Sequence, residues 1–295
     1  MKLTFLGTGG STPTKFRGLP SLAIDHGGDL FLFDCGEGTQ RQMLQFSVNM
    51  AKLKAVFLSH THGDHILGIA GLVRTLALNR RTEQLEIYVP QGGESIIQTL
   101  IGFDKAVLNY RIIIKPIKSG QIYRGRDFSI TAFKLQHNTS TFGFIFKEND
   151  RLRFLKPKIK NLGIKGKAFG TLIKNKSMKI NGKTIRLKDL TVMKLGRKVV
   201  YATDTRPTNE TLKAAKDADV FIHESTYAET EKLLAKQRFH STALEGATIA
   251  RKAKAKRLVL THTSARYRDE KVLVREANKV FKNAEVAKDG LVIEL

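Results

Sequence analysis

Apolar residues in this chain gather into short runs of strand length, bounded by polar, Gly or Asn positions: Leu3 to Leu6, Ser21 to Ile24, Leu30 to Phe33, Ala55 to Leu58, Leu85 to Val89, Arg111 to Ile114, Phe128 to Leu135, Thr141 to Phe146, Val199 to Ala202, Val220 to Ile222, Leu258 to Leu260 and Leu291 to Ile293. Such runs are too short for core helices and predict buried strands. Between several of them the apolar spacing turns helical, at Ile66, Ile69, Leu72, Val73 and Leu76, from Leu212 to Ala215, over Leu244, Ala247, Ile249 and Ala250, and from Val272 to Val280. A strand-heavy chain punctuated by helices reads as α/β (α+β), with two packed sheets and helices outside them.

Polar chemistry falls at the ends of the predicted strands. His60 follows Val56-Phe57-Leu58, His137 follows Phe133-Lys134-Leu135, Asp204 comes shortly after Val199-Val200-Tyr201, His223 follows Val220-Phe221-Ile222, and His262 comes after Leu258-Val259-Leu260. Loops at one edge of a rigid scaffold are where polar side chains can converge. The densest group is His60-Thr61-His62-Gly63-Asp64-His65, three imidazoles and a carboxylate within six residues. Three protonated histidines side by side would repel one another, whereas neutral imidazoles with a carboxylate are a ligand set for a borderline cation such as zinc. His26, in the turn-like Asp25-His26-Gly27-Gly28, reads as incidental.

Length and 41% hydrophobic content suit a globular core, and no apolar stretch is long enough to span a bilayer. Met1-Lys2-Leu3-Thr4-Phe5 begins as a strand and does not resemble a signal peptide, so a cytoplasmic protein with no membrane partner is expected. The single cysteine, Cys35, excludes an internal disulfide and leaves metal ligands to His, Asp and Glu. The net charge of +24 points to an anionic partner, nucleic acid first, with a Lys-rich proteome or heat adaptation as the plainer explanations. From 147 to 198 there are 17 Lys or Arg against three acids, or +14. With its interspersed glycines and few large apolar residues, this segment reads as a projecting arm that touches phosphates, or as a flexible solvated insertion.

The pattern His60-x-His62-x-Asp64-His65 with separate His137, Asp204 and His262 resembles the metallo-beta-lactamase superfamily of dinuclear hydrolases. Phe33-Asp34-Cys35-Gly36-Glu37-Gly38-Thr39-Gln40, His223-Glu224-Ser225-Thr226, His240-Ser241-Thr242 and Thr261-His262-Thr263-Ser264-Ala265-Arg266-Tyr267 are similar to motifs of the ribonuclease Z family, endonucleases that trim transfer RNA precursors at the 3' end. In the first loop, Pro13-Thr14-Lys15-Phe16-Arg17 matches the family pattern, and Gly18 then stands where the family usually has Asn.

The resemblance implies a four-layer αββα sandwich over residues 1–295 with an inserted flexible transfer-RNA-binding arm at 147–198. It implies two zinc ions per subunit, or manganese, one held by His60, His62 and His137, the other by Asp64, His65 and His262, with Asp204 between them. Asp64 is then a base or water-orienting residue, His240 the acid for the leaving ribose oxygen, and Glu224 the group holding His240. Lys15, Arg17, Arg266, Lys165 and Lys167 are the expected substrate contacts, His223 a loop-fixing residue, and a homodimer the expected assembly. The products would be a transfer RNA with a 3'-hydroxyl and a trailer with a 5'-phosphate. The alternative is a dinuclear phosphodiesterase of the same superfamily acting on small phosphodiesters or other RNA.

Overall fold

Strand runs that are buried along their whole length need a covering layer on each face, and the chain supplies one. The computed structural model describes residues 1–102, 108–180 and 182–295. Residues Met1–Phe146 and Lys198–Leu295 form one compact unit, and Lys147–Arg197 form a second.

The larger unit holds two seven-stranded sheets. The first runs in the spatial order Val292–Glu294, Lys2–Gly7, Ser21–His26, Asp29–Phe33, Leu53–Phe57, Leu85–Pro90, Ile112–Ile117. Its N-terminal hairpins are antiparallel, and its last four strands are parallel, from Phe33 opposite Phe57 to Ile87 opposite Ile114. The second sheet runs Ala284–Val286, Leu258–Thr261, Val220–Glu224, Lys198–Ala202, Phe142–Glu148, Phe128–Lys134, Gly120–Arg124, and the first four of these are parallel.

Side chains alternate across each strand, so each sheet presents two apolar faces. The facing surfaces meet in a core of Leu3, Phe5, Ile24, Phe31, Phe33 and Phe57 from one sheet and Phe128, Ile130, Phe144, Phe146, Tyr201 and Ile222 from the other. Behind the first sheet, Leu32, Val56, Leu58 and Ile87 pack on Ile69, Leu72, Val73 and Leu76 of the helix Gly68–Leu78, on Met43 and on Ile97. Behind the second, Val200, Phe221, Leu258 and Leu260 pack on Ala214, Ala247, Ala250, Leu273 and Ala277 of three helices. These are the four αββα layers. The helix Ala243–Lys252 starts with a capping box in which Thr242 and Glu245 satisfy each other's backbone N–H groups. His26 is part of the packing: its Nε2 lies 2.9 Å from Asp127 and its ring meets Phe128 and Phe146 edge-on.

The second unit has a core of its own, contrary to the expectation of few large apolar residues. Ile159, Ile164, Leu172 and Leu190 are buried together, with Phe154, Phe169, Met178 and Ile185 packed against them. Strands Arg151–Phe154 and Thr191–Lys194 pair antiparallel, as do Ser177–Ile180 and Lys183–Arg186. Its helix Lys167–Asn175 buries Leu172 and ends at Lys176, whose φ is +58°. The unit closes at Arg197, which reaches back to Glu148 through Nε at 2.7 Å; Lys198 already opens the next strand. No helix among the described residues is long and apolar enough to cross a membrane.

Candidate active site

Parallel strands deliver their C-terminal ends to one edge, and the chemistry collects there. His60 comes off Leu53–Phe57, and His62 immediately precedes the short helix Gly63–Ile66 that carries Asp64 and His65. His137 sits on the turn between Phe128–Lys134 and Phe142–Glu148. Asp204 and His262 follow Lys198–Ala202 and Leu258–Thr261, both in the left-handed region, at φ 47° and 56°. Non-glycine residues held there cost about 1–3 kcal/mol each and persist only where their surroundings fix them. At His262 the fixing is visible: a Cβ on Gly10 would lie 2.5 Å from its ring.

All seven expected ligands converge. His60 Nε2 lies 2.9 Å from His62 Nδ1, and His137 Nε2 lies 3.4 Å from the same atom. Asp204 Oδ2 is 3.7 Å from His60 Nε2 and 3.8 Å from His137 Nε2. On the other side Asp204 Oδ1 is 3.3 Å from His65 Nε2 and 3.2 Å from His262 Nε2, while Asp64 Oδ2 is 3.6 Å and 3.5 Å from the same two nitrogens. A tetrahedral ion with bonds of about 2.0–2.1 Å needs donor atoms about 3.3 Å apart. The separations above, 2.9–3.8 Å around Asp204 Oδ2 and His62 and 3.2–3.6 Å between the carboxylates and the His65 and His262 nitrogens, bracket that spacing.

The tautomers agree. His65 Nδ1 donates to Asp34 at 2.9 Å, His137 Nδ1 to the Phe239 carbonyl at 3.1 Å, and His262 Nδ1 to Thr226 Oγ1 at 2.8 Å, Thr226 in turn donating to Glu224. Ser59 donates to Asp34 and so accepts from His60 Nδ1 at 2.9 Å. With each proton on Nδ1, four Nε2 lone pairs face the cluster. Those of His65 and His262 are buried without any hydrogen-bond partner, an arrangement that is costly unless a cation takes the lone pairs.

Electrostatics point the same way. Burial holds His60 well below the usual histidine range, and burial also lowers His62 and His137. Burial would raise Asp204, but His262 and His65 hold it well below the carboxylate range, and Asp64 is lowered in the same manner. His65 is pushed up despite burial because Asp204 and Asp34 flank it. Ionised carboxylates that stabilise positive charge on His65 would stabilise a metal cation in its place.

Beside the cluster, His240 Nδ1 lies 3.0 Å from Glu224 Oε1, and its ring stacks on His262 at 5.4 Å. Burial works against a charged His240, yet Glu224 raises it to about 9; Glu224, buried but paired with His240, falls to about 2. Glu224 also accepts from Thr205 N, Ser241 N and Thr226 Oγ1.

The expected substrate contacts divide. Lys15 is exposed, and the exposed Arg266 lies over the Tyr227 ring at 4.8 Å. Arg17 is largely buried, donating to Thr8 and the Ala287 carbonyl and facing Glu270, so its guanidinium locks the loop. Lys165 and Lys167 are exposed on the other unit. His223 is fully buried, its Nδ1 on the Glu224 carbonyl at 2.7 Å, and is not in either donor group. Sequence reasoning gave no role to Asp34, Ser59, Thr226, Tyr201 or the Phe239 carbonyl. Asp34 and Thr226 lie within the matched motifs, the one signal that could have marked them.

The family model described as anti-Pycsar protein Apyc1 matches residues 1–156, and that of a beta-lactamase superfamily domain matches residues 182–263. Ribonuclease Z of Methanosarcina mazei is 38% identical over 299 residues, covering 100% of this chain and 98% of that protein. Ribonuclease Z of Gemmatimonas aurantiaca is 42% identical, covering 99% and 95%. The crystal structure of the short form of human tRNase Z is 25% identical with a TM-score of 0.71, covering 100% and 99%. Likeness that runs the full length of both partners, joined to a folded edge that gathers seven His and Asp side chains, means that the chain belongs to the ribonuclease Z family of metallo-beta-lactamase-fold endoribonucleases.

Proposed function

We propose that this protein removes the 3' trailer from transfer RNA precursors, using two zinc ions held by His60, His62, His137 and Asp204 and by Asp64, His65, His262 and Asp204. The observation that carries the metal reading is a pair of donor groups, His60, His62, His137 with Asp204 and Asp64, His65 with His262, each with its donor atoms within 4.8 Å of one another, and the position of Asp204 Oδ1, 3.3 Å from His65 Nε2 and 3.2 Å from His262 Nε2, between them. Bound divalent ions supply Lewis acidity, lowering the pKa of a coordinated water and offsetting charge on the phosphate.

The protein's own groups do the rest. Asp64 has one oxygen fixed by the Ser11 N–H at 2.8 Å and orients the attacking water or takes its proton. Water adds to phosphorus, the bond to the ribose O3' breaks, and His240 gives that oxygen its proton while Glu224 steadies the imidazolium. The phosphate stays on the trailer, so the transfer RNA ends in a 3'-hydroxyl. Lys165, Lys167 and their basic neighbours clamp the folded body of the RNA through its phosphates, so that shape governs the position of the cut. In this reading the enzyme works in the cytoplasm as a homodimer, and sedimentation would test the assembly.

End-mapping decides the reading. The metal-stripped protein is reloaded with zinc or manganese and given a 3'-extended precursor. A 3'-hydroxyl on the upstream fragment is expected, and a cyclic phosphate there would refute the mechanism. Turnover of only a small phosphodiester would favour the simpler phosphodiesterase.

A further inference from the structure

We propose that Phe16 is a stacking platform for an unpaired nucleobase of the substrate strand. The inference rests on the endoribonuclease reading above. Phe16 is 87% exposed, more than any other large apolar side chain among the described residues. Single exposed apolar residues are common and by themselves mean little. Here the backbone beneath the ring is fixed. Thr14 N–H bonds the Arg17 carbonyl at 2.9 Å, and Thr14 Oγ1 accepts from both Phe16 N (3.2 Å) and Arg17 N (3.0 Å). Arg17 is clamped by the Ala287 carbonyl and Glu270, and Gly18 N–H bonds Asp289 at 2.6 Å. The loop thus holds an aromatic ring out to solvent on a rigid mount.

Its location gives the ring a purpose. The loop leaves from Gly10, which lies against His262, and Ser11 N–H holds Asp64, so Phe16 is within about 20 Å of chain from the cluster. Phe16 is a ridge between two hollows of about 470 and 870 Å³, both lined by Thr14, Lys15, Phe16 and Arg17. One also carries exposed Arg41, the other exposed Arg268. A rigid aromatic face beside cations suits a flexible single strand: the cations meet phosphates, and the ring accepts the π-face of any base.

The test measures dissociation constants, in the metal-loaded enzyme with cleavage blocked by a phosphorothioate at the cut, for a 3'-extended precursor and for versions with one abasic nucleotide at each position around the cut. Stacking predicts that Phe16→Ala and Phe16→Leu weaken the intact RNA by roughly 5- to 150-fold, while Phe16→Trp binds as well or better. At one or two positions the abasic RNA should bind the unaltered enzyme as weakly as intact RNA binds Phe16→Ala, with no further loss in the variant. Equal affinity of Phe16→Leu and the unaltered protein would overturn the proposal, as would the same loss in Phe16→Ala for every abasic RNA. Thermal melting of each variant checks that the fold is intact. Failure of the unaltered enzyme to cut unmodified precursor would refute the functional reading, while the abasic comparison would still decide the stacking.

Discussion

Asp34→Asn should loosen the metal centre without altering a single ligand. Asp34 is fully buried and sits at φ +60°, a conformation that Asn tolerates as well as Asp, so the substitution changes charge and hydrogen bonding and little else. Oδ1 accepts the Ser59 N–H at 2.7 Å. Oδ2 accepts from Ser59 Oγ (3.0 Å), His65 Nδ1 (2.9 Å) and Tyr201 OH (2.9 Å). Every partner is a donor, so an amide NH2 must face at least one of them. The cheaper placement puts it at Oδ1 and strands the Ser59 N–H, at about 1–3 kcal/mol for a buried unsatisfied donor. The three bonds left on the amide oxygen lose their charge assistance as well.

His65 feels this most, because its Nδ1 proton keeps the Nε2 lone pair aimed at the metal position. Mutating a carboxylate that orients a ligand histidine in this way costs about 10- to 100-fold in metal affinity. We therefore expect zinc affinity, measured by competition with a chromophoric chelator, to fall by that factor. The metal-free protein should melt several degrees lower, at about 2–4 °C per kcal/mol. Tyr201→Phe removes one donor and leaves the carboxylate in place, so its effect on zinc affinity should be much smaller. An Asp34→Asn protein that holds zinc within twofold of the unaltered one would refute the reasoning.

Gly10→Ala should reduce zinc binding at the His262 side, since the new Cβ would lie 2.5 Å from the His262 ring; unchanged zinc stoichiometry would contradict this. Replacing residues 147–197 by a short turn should leave the sandwich folded, because Phe142–Glu148 and Lys198–Ala202 are neighbouring strands. Zinc binding and small-phosphodiester hydrolysis should survive, while precursor affinity falls and its salt dependence flattens. Loss of all of these together would mean misfolding. Cys35 is fully buried, and burial pushes its thiol up to about 12, so alkylating reagents should not modify it in the folded protein and should do so on unfolding.

Legibility in the sequence followed the range of each interaction. The strands could be read because burial on both faces makes a run such as Leu85–Pro90 continuously apolar, and the ligands because each sits at the end of such a run. Asp34 could not be assigned a role that way. Its partners Ser59, His65 and Tyr201 stand 25, 31 and 167 residues away, and nothing local distinguishes its carboxylate from one in a solvated turn. The basic segment misled in the opposite sense. Its lysines dominate composition and hide the spacing of Ile159, Ile164 and Leu172, although four buried side chains are enough to close a small core. Arg17 and Lys15 make the same point at one residue's resolution. Both are cations of the same loop, yet Arg17 is spent on Thr8, Ala287 and Glu270 while Lys15 faces solvent. Charge at a position states only that an anion will be met, and packing decides whether that anion belongs to the protein or to the RNA.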